Sequence, residues 1–338
     1  MKRILFRADA LKKIGTGDLM SLIQLSKYFA KDGWEVSFLT KKTQASINML
    51  EANSIKDVFF IEPNKSLSSE IEMINSIGDK NKVPAFFMEI TERRMTDYEN
   101  LISIPFKACV CFDGFVPKDF VFVLDWGINS QSLYDQELNP SVKYLLGPRY
   151  VILPISFNHE IISQRKYSNA TQNVLVAMGG GDEYNLTLKI VTDLLELNSL
   201  TLHIILGAGY EYEDSLSKLL SNSCLKYKTY KNIKNMFAKY MECDVGIGAG
   251  GLISSELVAT KTPTILISTY EHQIERCQFF DNKGLVIYLG HKEYDKRLLQ
   301  NFVKTPIIPK SSIDFNSNEI INQFNIKYRR FYANSNPD

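Results

Sequence analysis

"VLVAMGGGDEYNLT", residues 174–187, decides the architecture because it restarts a pattern the chain has already used once. Val174-Leu175-Val176-Ala177 reads as a buried strand, Gly179-Gly180-Gly181 as a loop, and residues 185–195 as a helix. The opening of the chain has the same order: an apolar run at 3–6, glycines at Gly15 and Gly17, and helical periodicity over 19–31. Between the two, apolar runs at 35–39, 58–61, 85–88, 110–112, 121–123 and 144–146 alternate in part with helical stretches at 46–51 and 69–76. After the restart, strands are expected at 201–206, 227–230, 245–247 and 264–267, with helices between them. Alternation of this kind predicts parallel βαβ units, and its recurrence predicts two doubly wound α/β domains. The first is expected over 1–150, a polar linker over 151–172 and the second over 173–316. The last segment, 317–338, is aromatic and basic around residues 328–332; it either returns across the junction as a helix or lies in solvent. Ligands in open α/β sheets bind beyond the carboxyl ends of the strands, so two such edges facing each other predict one cleft.

Composition narrows the function classes. The chain has 338 residues, 45% hydrophobic and 23% charged, the profile of a soluble globular protein. A net charge of +1 gives no electrostatic case for nucleic acid as a partner. No apolar run approaches the roughly 20 residues of a membrane span, and the start, MKRILF, reads as a first strand rather than a signal peptide. Five cysteines without CxxC spacing read as reduced core residues of a cytoplasmic protein, and four scattered histidines offer no metal cluster.

Three segments carry chemistry. In 174–187, Gly179, Gly180 and Gly181 precede Asp182 and Asn185 at a helix start, an arrangement that lets backbone amides approach an anion; a tight strand-to-helix turn explains the same residues equally well. The Walker lysine and the spaced GxGxxG pattern are both missing. In "CDVGIGAGGLISSELVATKTP", 243–263, a strand empties into Gly248, Gly250 and Gly251, with Ser254, Ser255 and Glu256 in the first turn of the next helix. Those amides suit a diphosphate, and Glu256 suits a ribose diol, or else is simply an acid near a positive helix end. His272 and Gln273, at the start of the following helix, are in place for a sugar or phosphate, or for plain solvation. The third segment, "KKIGTGDLM" (12–20), places Asp18 near a helix N-terminus, where its own charge opposes a phosphate. Asp18 is therefore either a general base aimed into the cleft or an N-cap.

Taken together, "RADALKKIGTGDLM" (7–20), "LLGPRYVIL" (145–153), 174–187 and "IGAGGLISSE…PTILIS…HQ" (247–273) resemble the PseG family. Its members are UDP-2,4-diacetamido-2,4,6-trideoxy-β-L-altropyranose hydrolases. The segments are more distantly similar to MurG-type and SpsG-like glycosyltransferases. The resemblance runs over residues 2–290 and implies the GT-B architecture, two Rossmann-like domains with a UDP-sugar between them. It assigns the nucleotide to Gly179–Gly181, Gly248–Gly251 and Glu256, and it implies no metal or other cofactor, helix ends standing in for Mg²⁺. The first half departs from the family: a catalytic histidine and an arginine in a GHxxR-like pattern are Asp18 and Ser21 here, and an Asp-x-Tyr-Gly segment corresponds to Glu89-Ile90-Thr91.

The nucleotide half is thus kept and the reacting half rewritten. The foremost expectation is an inverting glycosyltransferase of bacterial surface-glycan or nonulosonic acid metabolism, with Asp18 or Glu89 as base. Its partners would be a UDP-sugar and a glycan, lipid-linked or protein acceptor. The alternatives are a UDP-sugar hydrolase in which Asp18 activates water, and a silent nucleotide-sugar-binding protein.

Overall fold

The structure is a computed structural model that describes residues 2–11, 16–91, 94–134, 138–157, 159–168, 170–197, 199–207, 209–231, 233 and 235–335. Gly15 lies outside the described residues. The chain divides into two compact units, 1–155 with 315–338, and 156–314.

In the first unit, β1 (Arg3–Ala8), α1 (Gly17–Lys31), β2 (Glu35–Lys41), α2 (Gln44–Ala52), β3 (Val58–Ile61), α3 (Leu67–Asn81) and β4 (Ala85–Glu89) alternate as expected. β5 (Phe106–Val110), β6 (Phe122–Asp125), α4 (Ser130–Tyr134) and β7 (Lys143–Leu146) follow. All seven strands are parallel, in the order β3-β2-β1-β4-β5-β6-β7. Helices on both faces bury the sheet, which is why β1 and β4 carry the apolar runs at 4–6 and 85–88. α1 buries Leu19, Leu22, Ile23, Leu25, Ser26 and Phe29, a stripe with helical spacing. Phe6 stacks on Phe38 and Phe87 at ring separations of 5.3 and 5.9 Å. The terminal helix, Ser317–Ser335, completes this core: its Phe324 is fully buried and meets Phe29 at 4.7 Å and Phe106 at 4.9 Å.

β5 corrects the reading of an apolar strand at 110–112. Lys107, the second residue of the true strand, disguises it, but its ammonium reaches out to the Ile104 carbonyl at 3.0 Å and Asp119 at 3.3 Å.

The second unit contains α5 (His159–Ser163), β8 (Asn173–Ala177), α6 (Leu186–Leu194), β9 (Thr201–Leu206), α7 (Glu213–Ser221), β10 (Lys226–Lys231) and α8 (Met236–Glu242). β11 (Val245–Gly248), α9 (Leu252–Ala259), β12 (Thr264–Ser268), α10 (Ile274–Asn282), β13 (Ile287–His291) and α11 (Lys296–Lys304) complete it. Its parallel order, β10-β9-β8-β11-β12-β13, repeats the winding of the first sheet. β13 has no counterpart in the sequence reading. Gly290 interrupts it with φ +141, and its register against β12 slips between Leu266 and Ile267, so the local alternation is broken.

In each sheet the crossovers reverse direction at one place, between β1 and β4 and between β8 and β11. Helices leave these strand pairs toward opposite faces, opening a crevice at their carboxyl ends. Ala8 pairs with Glu89 at the first switch point, and Ala177 pairs with Gly248 at the second.

Candidate functional site

At the first switch point four carboxyl groups gather: Asp9, Glu70, Asp18 and Glu89. Arg7 and Asp9, two residues apart on β1 and its extension, lie on the same side of the strand. The Arg7 guanidinium grips Asp9 with two hydrogen bonds, 2.6 and 2.8 Å, and donates to Glu70 Oε1 at 2.9 Å. Tyr98 donates to that same Glu70 oxygen at 2.8 Å, and the Lys41 amide donates to Asp9 at 2.8 Å. Arg7 is fully buried, Asp9 1% and Glu70 1% exposed, so the ions are mutually compensated inside the unit. Burial pushes Asp9 upward, but the charge and hydrogen bonds of Arg7 outweigh it and hold Asp9 below the usual carboxylate range.

Asp18 and Glu89 differ. Asp18 is the second residue of α1; the N-cap position belongs to Thr16, whose side chain makes no capping bond. The N-cap reading of Asp18 is therefore corrected. Its Oδ2 accepts from both the backbone N–H of Thr91 (3.0 Å) and the Thr91 hydroxyl (2.7 Å), tying α1 to the exit of β4. Burial raises the Asp18 carboxyl above its ordinary value against the opposing bonds from Thr91. Glu89 is 5% exposed, and its Oε2 is buried with no hydrogen-bond partner among the described residues. Burial, with the Asp18 charge adding to it, pushes Glu89 well above the carboxylate range. The fold thus brings the two predicted catalytic residues together, with burial raising both carboxyls and the bonds from Thr91 opposing the rise only at Asp18.

At the second switch point the two glycine loops behave unequally. After β8, Gly179 takes φ +97, and Asp182 and Asn185 are both left-handed, with φ +48 and +49. This tight path folds the Asp182 carboxylate back onto the amides of Leu186 (2.9 Å) and Thr187 (2.8 Å), the first two residues of α6. Asn185 accepts instead from the Tyr210 hydroxyl at 2.9 Å. The N-terminus of α6 is therefore already capped by a carboxyl group of its own.

α9 is the contrasting case. Gly251 is its N-cap, and no side chain caps it. Gly250 is required there: a Cβ would lie 2.5 Å from Cys277 Sγ and 2.8 Å from Gln273 Cβ on the neighbouring turn and helix. Gln273 is fixed by Thr269, whose amide (2.9 Å) and hydroxyl (3.0 Å) both donate to Oε1. That leaves its Nε2 on the side of Gly251, 3.7 Å from where a Cβ would stand. Ser254 and Ser255 are buried, and the Ser254 hydroxyl donates to the Gly251 carbonyl at 2.6 Å. Glu256 lies in the second turn rather than the first, and its Oε2 accepts from the Tyr240 phenol at 2.5 Å. Burial pushes its carboxyl up to about 7, the Tyr240 bond partly opposing it. His272 is exposed and stacked on Tyr270 at 5.7 Å, outside this cluster of bonds.

The loop after β8 also spans the edge. The Glu183 carbonyl accepts from Tyr212, beyond β9, while the ring of Tyr184 carries the Lys292 ammonium at 4.0 Å, beyond β13.

Sequence reasoning missed Arg7, Glu70, Tyr98 and Tyr240. The two-residue spacing of Arg7 and Asp9 on a strand was available as a signal; Tyr240, sixteen residues before Glu256, left none.

Residues 173–324 match the glycosyltransferase family 28 C-terminal domain. An uncharacterised protein of Methanocaldococcus jannaschii is 25% identical over 288 residues, 81% of this chain and 57% of that protein. The spore coat polysaccharide biosynthesis protein SpsG of Bacillus subtilis is 24% identical over 149 residues, 43% of each chain. The pseudaminic acid cytidylyltransferase and UDP-2,4-diacetamido-2,4,6-trideoxy-β-L-altropyranose hydrolase of Helicobacter pylori is 25% identical over 179 residues, 51% of this chain and 30% of that protein. The chain thus spans between about a third and somewhat over half of these relatives. Among solved structures, MnaA of S. aureus with UDP superposes with a TM-score of 0.62 at 11% identity, covering 100% of this chain and 99% of that one. MurG of Acinetobacter baumannii superposes with a TM-score of 0.60 at 15% identity, covering 98% and 95%. The fold is GT-B, two parallel-sheet α/β domains, and its C-terminal part is similar to that of family 28 glycosyltransferases.

Proposed function

We propose that the protein is a cytoplasmic UDP-sugar-dependent glycosyltransferase, acting with inversion, in the metabolism of surface glycans or nonulosonic acids. The observation that carries the reading is the unequal carboxyl pair, Asp18 held by Thr91 beside Glu89, whose Oε2 is buried without a hydrogen-bond partner among the described residues. Two acids whose surroundings separate their proton affinities are the usual mark of assigned acid–base roles. Asp18 accepts the proton of an acceptor hydroxyl as that oxygen attacks the anomeric carbon, and the sugar–phosphate bond breaks with its electron pair going to UDP. Its raised proton affinity makes it a better base than an ordinary aspartate. Glu89, pushed well above the carboxylate range by burial, resists taking a second negative charge beside it. The second unit supplies the nucleotide site: the uncapped α9 amides and Gln273 Nε2 for the diphosphate, Glu256 for the ribose. Gly248, Gly250 and Gly251 allow the close approach, and the proposal assigns the balancing positive potential to the helix end rather than to a bound metal. SpsG and the H. pylori enzyme, by their names, support a place in polysaccharide or nonulosonic acid chemistry.

The second name also favours a second reading, in which water takes the place of the acceptor. Incubation with a panel of UDP-sugars separates them. Release of UDP only when a glycan or protein acceptor is added supports transfer; release of UDP and free sugar in buffer alone makes the protein a hydrolase. Asp18→Asn keeps an acceptor for Thr91 but removes the base, and is expected to cost about 10²–10⁴-fold in turnover. Full activity in that variant would remove Asp18 from the mechanism.

A further inference from the structure

In the second unit one buried contact touches the nucleotide site from behind. Tyr240 is fully buried on α8, and its phenol donates to Glu256 Oε2 at 2.5 Å. The other carboxylate oxygen, Oε1, has no hydrogen-bond partner among the described residues. Tyr240 is itself fixed from both sides. Its ring packs with Leu175, Ala177, Cys243 and Leu257, and its backbone carbonyl accepts from Arg165 at 3.0 Å. Arg165 also donates to the carbonyls of Cys243 and Thr260, so one guanidinium clamps the ends of α8 and α9 together.

We propose that Tyr240 is a positioning residue for the nucleotide site, holding one oxygen of Glu256 so that the other is presented to the ribose hydroxyls. This rests on the assignment of Glu256 to the ribose. A flexible glutamate would otherwise rotate among several conformers, and a carboxylate in apolar surroundings would bind a proton instead of a diol. The charged and titratable groups around the pair are few: Tyr240 on α8, the Cys243 thiol, which burial pushes up to about 12, and Arg165, which is spent on backbone carbonyls. No cation bonded to Glu256 is present among the described residues, so the phenol is the group that favours its ionised form. The selectivity that follows is for a ribonucleotide over its 2′-deoxy analogue.

The test compares UDP with 2′-deoxy-UDP by calorimetry between pH 6 and 9, in the wild type and in Tyr240→Phe, alongside the ¹³C carboxyl resonance of Glu256, assigned by its loss in Glu256→Gln. The wild type is expected to prefer UDP, with affinity rising about tenfold from pH 6 to 8 as Glu256 ionises. In Tyr240→Phe the carboxyl midpoint moves up by about one pH unit or more, the preference for UDP is lost at pH 7, and it returns at pH 9. A fluorinated tyrosine at position 240, a stronger donor of the same shape, moves the midpoint down and serves if Tyr240→Phe does not fold. An unmoved midpoint, or a uniform loss of affinity without recovery at high pH, overturns the positioning role. Equal binding of the two nucleotides by the wild type instead overturns the ribose assignment, and the positioning role with it.

Discussion

At the first switch point Ala8 and Glu89 stand side by side, and the chain leaves β1 into Asp9; at the second, Ala177 and Gly248 stand side by side, and each strand reaches a glycine two residues on, Gly179 and Gly250. The winding is the same, so topology puts a site at both places and side chains decide what each can do. The first crevice concentrates carboxyl groups and pairs only Asp9 and Glu70 with a cation, the shared Arg7. The second bares backbone. A finer contrast lies within it: α6 carries its own anion in Asp182, whereas α9 is uncapped. Two glycine loops that look alike in sequence therefore differ in whether their helix ends are available to a ligand.

The largest expected effect breaks the first crevice. Arg7→Met leaves Asp9 and Glu70 buried without their shared cation, a loss of about 3–5 kcal/mol. Both tryptophans, Trp34 and Trp126, belong to the first unit, so fluorescence-detected urea unfolding reads that unit alone. A loss under about 1 kcal/mol would mean that the carboxylates find other partners.

The next effect sharpens the second crevice. Glu256 holds its proton up to about 7 in the folded protein, against an ordinary glutamate value of 4.5 when unfolded. Its neutral form is thus favoured by folding: the contribution is complete below about pH 4.5 and is lost as pH rises through about 7. Its size is on the order of 3 kcal/mol. Glu256→Gln should flatten that part of the profile of melting temperature against pH, and an unchanged slope would place the titration elsewhere.

The smallest effect separates α6 from α9. Asp182→Ala removes the bonds to Leu186 and Thr187 and is expected to cost about 1–2 kcal/mol of stability, with UDP affinity unchanged. A gain in affinity would show that Asp182 had been excluding phosphate from a competing site.

Strand–helix alternation made most of the fold legible, because parallel strands covered on both faces are apolar throughout and their helices carry a clear stripe. It failed where a side chain or glycine hid the period: Lys107 inside β5, and Gly290 inside β13. The glycine loops and Asp18, Glu89 and Glu256 were legible as candidates because they follow strands. Their partners were not, since Thr91 meets Asp18 across 73 residues and Arg7 meets Glu70 across 63. Whether Asp182 faces a ligand or its own helix depends on a left-handed φ that no local motif announces.

The central claim is that the second crevice takes the nucleotide at α9 and the first supplies the chemistry. A crystal structure with UDP tests it most directly. The account predicts the diphosphate on the amides that begin α9, beside Gly251 and Gln273, with Glu256 on the ribose and Asp182 still bonded to Leu186 and Thr187. A diphosphate on the N-terminus of α6 with Asp182 displaced, or beside Asp18 and Glu89, would contradict it.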